Sequence, residues 1–241
     1  MRKFLFSFLL FLFACAPPEP TTAWKAASYQ DVPGIVEIAT GWGRANLCTG
    51  SLVKPDVIVT AAHCATFPKE DLYINYACND IRNNNCKRQK IKNIITHPRW
   101  NKDFISSNDI AIIIPSKNIT EIPTIDISSQ EELPEGLPLV AAGFGHRNGE
   151  SGILYSGMGR VRRNYQYEFV VQMTPPLDPN PGDSGGPALV WEDGQMKLFG
   201  VLSRAKWANQ DSTETFRYTG LAIYTKASAY TDWINSYGGL P

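Results

Sequence analysis

Pro181-Gly182-Asp183-Ser184-Gly185-Gly186-Pro187 is the stretch on which both fold and chemistry turn. A serine hydroxyl is a poor nucleophile until a base removes its proton. Glycines on both sides of Ser184 let the backbone turn sharply and aim its N–H groups at one spot, where a developing oxyanion can sit. Taken alone, the string also reads as a β-turn rich in Gly and Asp. The rest of the chain must therefore supply the base and the group that orients it.

Both are present upstream. Thr60-Ala61-Ala62-His63-Cys64 follows the apolar run Val57-Ile58-Val59, which places a histidine at the end of a buried strand. Ser107-Asn108-Asp109-Ile110-Ala111 puts an aspartate at the start of another apolar strand. A lone histidine is more often structural, and a lone strand-edge aspartate is usually a cap. Together, in the order His, Asp, Ser, the three have the makings of an acyl-transfer triad.

Around these motifs lie short apolar or alternating runs separated by turn residues. In the first half they are Gly34–Ala39, Val57–Ala61, Leu72–Tyr76, Ile91–Ile95 and Ile110–Ile114; in the second, Leu139–Phe144, Phe169–Gln172, Ala188–Val190, Leu198–Leu202 and Tyr218–Ile223. Runs of this length and spacing predict an all-β sandwich or barrel. Only the C-terminus has helical periodicity: Ala227, Tyr230, Trp233, Ile234 and Tyr237 recur every three or four residues before Gly238-Gly239.

From about Val32 to Tyr237 the chain resembles the chymotrypsin/trypsin-type serine peptidases. Cys48-Thr49-Gly50-Ser51-Leu52 resembles the segment whose cysteine bonds the one after the catalytic histidine, here Cys64. Thr96-His97-Pro98 resembles the His-Pro ahead of the Asp motif, where the histidine is structural. Gly143-Phe144-Gly145 resembles the Gly-aromatic-Gly opening of the second barrel, and Gly200-Val201-Leu202-Ser203 the strand beside the substrate. Tyr224-Thr225-Lys226 and Trp233-Ile234 resemble the approach to the terminal helix.

The resemblance implies an all-β fold of two six-stranded antiparallel Greek-key barrels, over about 32–130 and about 131–225, with a C-terminal helix over about 226–237. It implies a serine endopeptidase in which Ser184 attacks a peptide carbonyl, His63 shuttles the proton and Asp109 holds the imidazole. The N–H groups of Gly182 and Ser184 form the oxyanion hole, and the Ser203 hydroxyl bonds Asp109. Asp178, Ser203 and Ala205 fall at substrate-binding positions. No metal or organic cofactor is called for, and the partners are protein or peptide substrates met by a monomer.

Two departures matter. Family members usually begin, after activation, with a short apolar sequence whose free amine pairs with the aspartate before the serine, here Asp183. Ile35-Val36 lies only thirteen positions before Cys48, about half the family's interval, so it reads as the first barrel strand. Asp183, which supports the site, then needs either an amine released by cleavage upstream or an internal cation, because a buried unpaired carboxylate is costly. The second departure is the specificity pocket. Asp178, six residues before Ser184, matches the carboxylate that binds Arg or Lys at P1. The bracing cysteine is replaced by Asn180, the usual Trp-Gly by Arg204-Ala205, and a pocket glycine by Ala222. These changes narrow the pocket and set Arg204 where it could neutralise Asp178.

The N-terminus reads as an export signal over residues 1–14: Arg2-Lys3, then the apolar run Phe4 to Phe13. Ala14-Cys15-Ala16 has the form of an ordinary cleavage site, whereas Leu12-Phe13-Ala14-Cys15 resembles a bacterial lipobox that would lipidate Cys15. The five cysteines fit the lipobox, since export favours disulfides and Cys48, Cys64, Cys78 and Cys86 fall into two local pairs, Cys48-Cys64 and Cys78-Cys86. Four cysteines allow three pairings. Residues 15–31, rich in Pro, Thr and Ala, read as a tether. The expected location is outside the cytoplasm, as a membrane-anchored lipoprotein or a secreted or periplasmic protein, with Ala16 after Cys15 favouring the outer membrane. Twenty-three basic residues balance 23 acidic ones, which gives no reason to expect nucleic-acid binding. Two other readings stay open: a catalytically silent homologue that acts as a binding module, and an esterase.

Overall fold

A computed structural model of the chain describes residues 24–41, 46–83, 85–102, 108–147, 149–174, 179–209 and 216–238. After a two-residue strand, β1 (Lys25–Ala26), come β2 (Ile35–Thr40), β3 (Asn46–Lys54), β4 (Val57–Thr60), β5 (Leu72–Tyr76), β6 (Lys87–Thr96) and β7 (Ala111–Pro115). β2 to β7 close an antiparallel barrel in the order β2-β3-β4-β7-β6-β5. The second barrel uses β8 (Pro138–Gly143), β9 (Tyr155–Asn164), β10 (Glu168–Met173), β11 (Pro187–Glu192), β12 (Gln195–Asn209) and β13 (Phe216–Lys226). Their order is β9-β10-β13-β12-β11-β8; β8 pairs back onto β9 to close the ring, and β1 adds to the outer side of β9.

β4 and β7 are buried at every residue. A strand with one wet face would alternate; these do not, because both of their faces are covered. β12 touches β4 and β11 touches β3, so the barrels meet along these strands. One core cluster accordingly runs from Ile58, Ile112 and Ile113 to Phe144, Leu198, Val201 and Ile234 without a break. The second barrel has its own centre, where Phe169 packs edge-on against Phe199 at 4.9 Å and stacks on Tyr224 at 5.4 Å.

Three features differ from the sequence reading. β9 was not marked by any apolar run. The C-terminal helix is shorter: a 3-10 turn, Ala227–Tyr230, precedes α1 (Thr231–Asn235). Tyr230 leaves helical geometry at φ −121° because its ring is held edge-on to His97 and its hydroxyl donates to Asn108 Oδ1 at 2.9 Å. The folded domain also starts before Val32, since Lys25 and Ala26 pair with Ser156 and Tyr155 of β9 and Ala27 N–H donates to the Leu154 carbonyl at 2.9 Å. Of the stretch 15–31 expected to be a tether, residues 24–31 are thus part of the fold, with the Trp24 ring in the space left by Gly157, and residues 15–23 lie outside the described residues.

Candidate active site

His63 lies on a 3-10 turn, Ala62–Ala65, directly after β4. The Cys64–Cys48 disulfide fastens that turn to β3, and Cys78–Cys86 closes a second, local loop. Cys48, His63 and Cys64 come together closely, but both sulfurs are consumed in the disulfide, so this cluster offers a metal only one imidazole. Asp109 enters β7 after Asn108, whose φ of 73° is left-handed, a conformation asparagine tolerates well. Thr225 Oγ1 donates to the Asp109 carbonyl at 3.1 Å and fixes that bend from the second barrel.

Asp109 is 1% exposed, and its side chain accepts three hydrogen bonds. His63 N–H reaches Oδ1 at 3.0 Å, His63 Nδ1 reaches Oδ2 at 2.8 Å, and the Ser203 hydroxyl reaches Oδ2 at 2.7 Å. Burial pushes the Asp109 pKa up, but the bonds and charge from His63 and the bond from Ser203 outweigh it, and the net shift is downward. An ionised carboxylate can only accept, so the proton between the two groups sits on Nδ1. In the neutral ring this leaves Nε2 with its lone pair, on a side chain that is 38% exposed.

The serine loop docks onto the same region. Thr49 N–H donates to the Ser184 carbonyl at 2.8 Å, and Thr49 Oγ1 donates to the Gly182 carbonyl at 2.8 Å while accepting from Phe144 N–H at 3.1 Å. Gly185, at φ 79°, lies so close to Thr60 Oγ1 and the Thr49 carbonyl that a Cβ would collide with both. Ser184 is thereby held against the segment that leads into His63. Asp183, Gly185 and Gly186 each donate their N–H to a backbone carbonyl. Among the described residues, no acceptor takes the N–H of Gly182 or of Ser184. Gly182 has φ 98°, a left-handed conformation that suits glycine.

Asp183 is fully buried and answered by an arginine. Its Oδ1 accepts from Gly145 N–H at 2.9 Å and Arg147 Nη1 at 3.1 Å; its Oδ2 accepts from Arg147 Nη2 at 2.6 Å and Asn180 N–H at 2.8 Å. Arg147 is itself 8% exposed, with its guanidinium 3.8 Å from the centre of the Trp24 ring and 5.3 Å from that of Tyr155. The pair is forked, hydrogen-bonded and roofed by aromatic rings, the geometry in which a buried ion pair is worth keeping. Gly143 and Gly145 make room for it, because a Cβ on either would strike the Asp183 carboxylate.

Of the two routes open to Asp183, the fold contains the internal cation. The sequence reading anticipated such a cation without finding Arg147. The only local hint is an arginine two residues past Gly143-Phe144-Gly145. In the pocket region, Ala205 pairs with the fully buried Ala222. Arg204 is engaged by Glu168 through two bonds of 2.8 and 3.0 Å. Asp178 and Cys15 lie outside the described residues.

The profile of the family described as Trypsin matches residues 24–234. A vitellin-degrading protease of Bombyx mori is 25% identical over 94% of this chain and 90% of its own length. Chymotrypsin-like elastase family member 1 of Homo sapiens is 23% identical over 83% and 84%, and vitamin K-dependent protein C of Mus musculus 28% over 80% and 46%. Two closed antiparallel barrels, a serine loop docked beside the histidine turn, and a profile match over residues 24–234 agree on one assignment: the chain belongs to the trypsin family.

Proposed function

We propose that the protein is a serine endopeptidase working through an acyl-enzyme. Ser184 Oγ attacks the scissile carbonyl while His63 Nε2 takes its proton. The same imidazole then protonates the leaving amine, and a water repeats the cycle to release the acid. Asp109 holds the Nδ1–H tautomer and balances the imidazolium. The tetrahedral oxyanion is received by the N–H groups of Gly182 and Ser184. The observation that carries this reading is the buried Asp109 carboxylate gathering His63 and Ser203 beside a loop with two undonated N–H groups.

The Arg147–Asp183 pair supports a loop that is set without a free N-terminus, so the site needs no activating cleavage. A preference for Arg or Lys at P1 rests on Asp178, and the engagement of Arg204 by Glu168 favours an unneutralised carboxylate there. Export through residues 1–14, with anchoring by a lipid on Cys15, rests on the sequence of that stretch. No helix among the described residues is long and apolar enough to cross a membrane.

The test is hydrolysis of a P1-diverse peptide library. Cleavage is expected for the native chain and should fall by a factor on the order of 10^6 in Ser184→Ala. Turnover of esters without any peptide cleavage would move the assignment to an esterase. Preference for small or aromatic P1 residues would remove the role given to Asp178.

A further inference from the structure

A groove of about 480 Å3 runs across the outer face of the second barrel. Its rim carries Arg162, Arg163 and Arg204, and its floor is made by the half-buried Val170, Leu221 and Ile223. The register explains the layout. Val170 pairs with Arg163 on β9 and with Ile223 on β13, and Ile223 pairs with Arg204 on β12. One cross-strand row therefore reads Arg163–Val170–Ile223–Arg204. Three strand spacings make it about 14 Å long, the reach of about four extended residues.

One end of this row reaches Ser203, which bonds the proposed triad's carboxylate. Arg204 Nη1 donates to the Ser203 hydroxyl at 3.3 Å, and that hydroxyl donates to Asp109 at 2.7 Å. The groove thus opens one residue from the residue that bonds the triad carboxylate. Its charge is one-sided: three arginines face a single Glu168, although the whole chain is neutral. Glu168 is matched by Arg204. Arg162 has neither an ion pair nor a hydrogen bond from its side chain among the described residues. Tyr165 stands at the rim 51% exposed, an aromatic beside arginines of the kind that anchors partners.

We propose that this groove is a substrate subsite for an acidic peptide segment flanking the scissile bond, with carboxylates on Arg162 and Arg163 and apolar side chains on Val170, Leu221 and Ile223. It rests on the peptidase reading only in making the occupant a substrate. The apolar floor lies behind exposed arginines, where an extended peptide reaches and a planar anionic lipid surface does not.

Binding is measured on the intact Ser184→Ala chain, so the outcome does not depend on turnover. The probes are a fluorescein-labelled hexapeptide alternating Glu and Leu, and its counterpart with Gln for Glu. The acidic peptide should bind about tenfold tighter, an advantage lost in Arg162→Gln/Arg163→Gln and weakened by salt. It should survive in Lys87→Gln/Lys117→Gln, which removes the same charge from the first barrel. Equal binding of both peptides, or loss of discrimination in the lysine control, would overturn the subsite. So would binding of the native chain to phosphatidylglycerol vesicles that Arg162→Gln/Arg163→Gln abolishes while peptide discrimination stays. Labelling of Ser184 in the native chain by a fluorophosphonate, with no discrimination between the peptides, would sink the subsite and leave the peptidase standing.

Discussion

Asp183 and Arg147 form an ion pair in which both charges are out of water and joined by two hydrogen bonds. Removing one partner strands the other. Arg147→Gln should lower unfolding stability by about 3–5 kcal/mol, read from urea denaturation, and Arg147→Gln/Asp183→Asn should recover much of that loss. Arg147→Gln at native stability would show that the pair does not hold the loop. Glu37 behaves differently. It is fully buried, its Oε2 accepts from Asn75 Nδ2 at 2.6 Å, and its Oε1 has no partner among the described residues. Burial pushes its pKa from the ordinary 4.5 to about 7, against the smaller opposing effects of Asn75 and Arg88. The folded chain thus holds a proton that the unfolded chain has lost between about pH 4.5 and pH 7. Stability should fall as pH rises through that window, by on the order of 3 kcal/mol once the proton is gone. Glu37→Gln should flatten the slope, and an unchanged slope in that variant would place the titration elsewhere. At this scale His63, Asp109 and Ser184, the proposed triad, could be singled out because each sits in a short local motif. Arg147 was not, because its partner lies 36 residues away and only the closed barrel joins them.

Among the elements, β9 shows what composition hides. Tyr-Ser-Gly-Met-Gly-Arg-Val-Arg-Arg-Asn has two glycines and three arginines where strands usually carry β-branched residues. The glycines are required by neighbours rather than by the strand itself. Trp24 fills the place of a side chain at Gly157, and Val171 and Met173 fill the place at Gly159. Gly159→Val should cost about 1–3 kcal/mol by overpacking, seen as a lower urea midpoint with little change in slope. A neutral result would mean that β9 and β10 can separate freely at that point. The apolar strands β4 and β7 were legible because their burial on both faces writes a continuous apolar run. β9 was not, because its inner face is completed by Trp24, just ahead of β1, and by Val171 and Met173 of β10.

Over the whole molecule, two barrels were readable from short apolar runs together with the motifs that resemble the family, and the Ile35-Val36 reading as a barrel strand matches β2. What the sequence left open was how the two halves lock. Thr49 bonds Gly182, Ser184 and Phe144 across the interface, and Trp24 carries the N-terminal segment onto the Arg147 guanidinium. On the proposed reading, the assembled site depends on residues 24–26 being docked rather than on a newly exposed amine. The most direct test is mass spectrometry of the full chain with a blocked N-terminus after exposure to a fluorophosphonate. We predict one adduct, on Ser184, formed without any upstream cleavage and absent in Ser184→Ala. No adduct, or an adduct only in molecules cut between residues 16 and 35, would contradict a triad set by the internal Arg147–Asp183 pair.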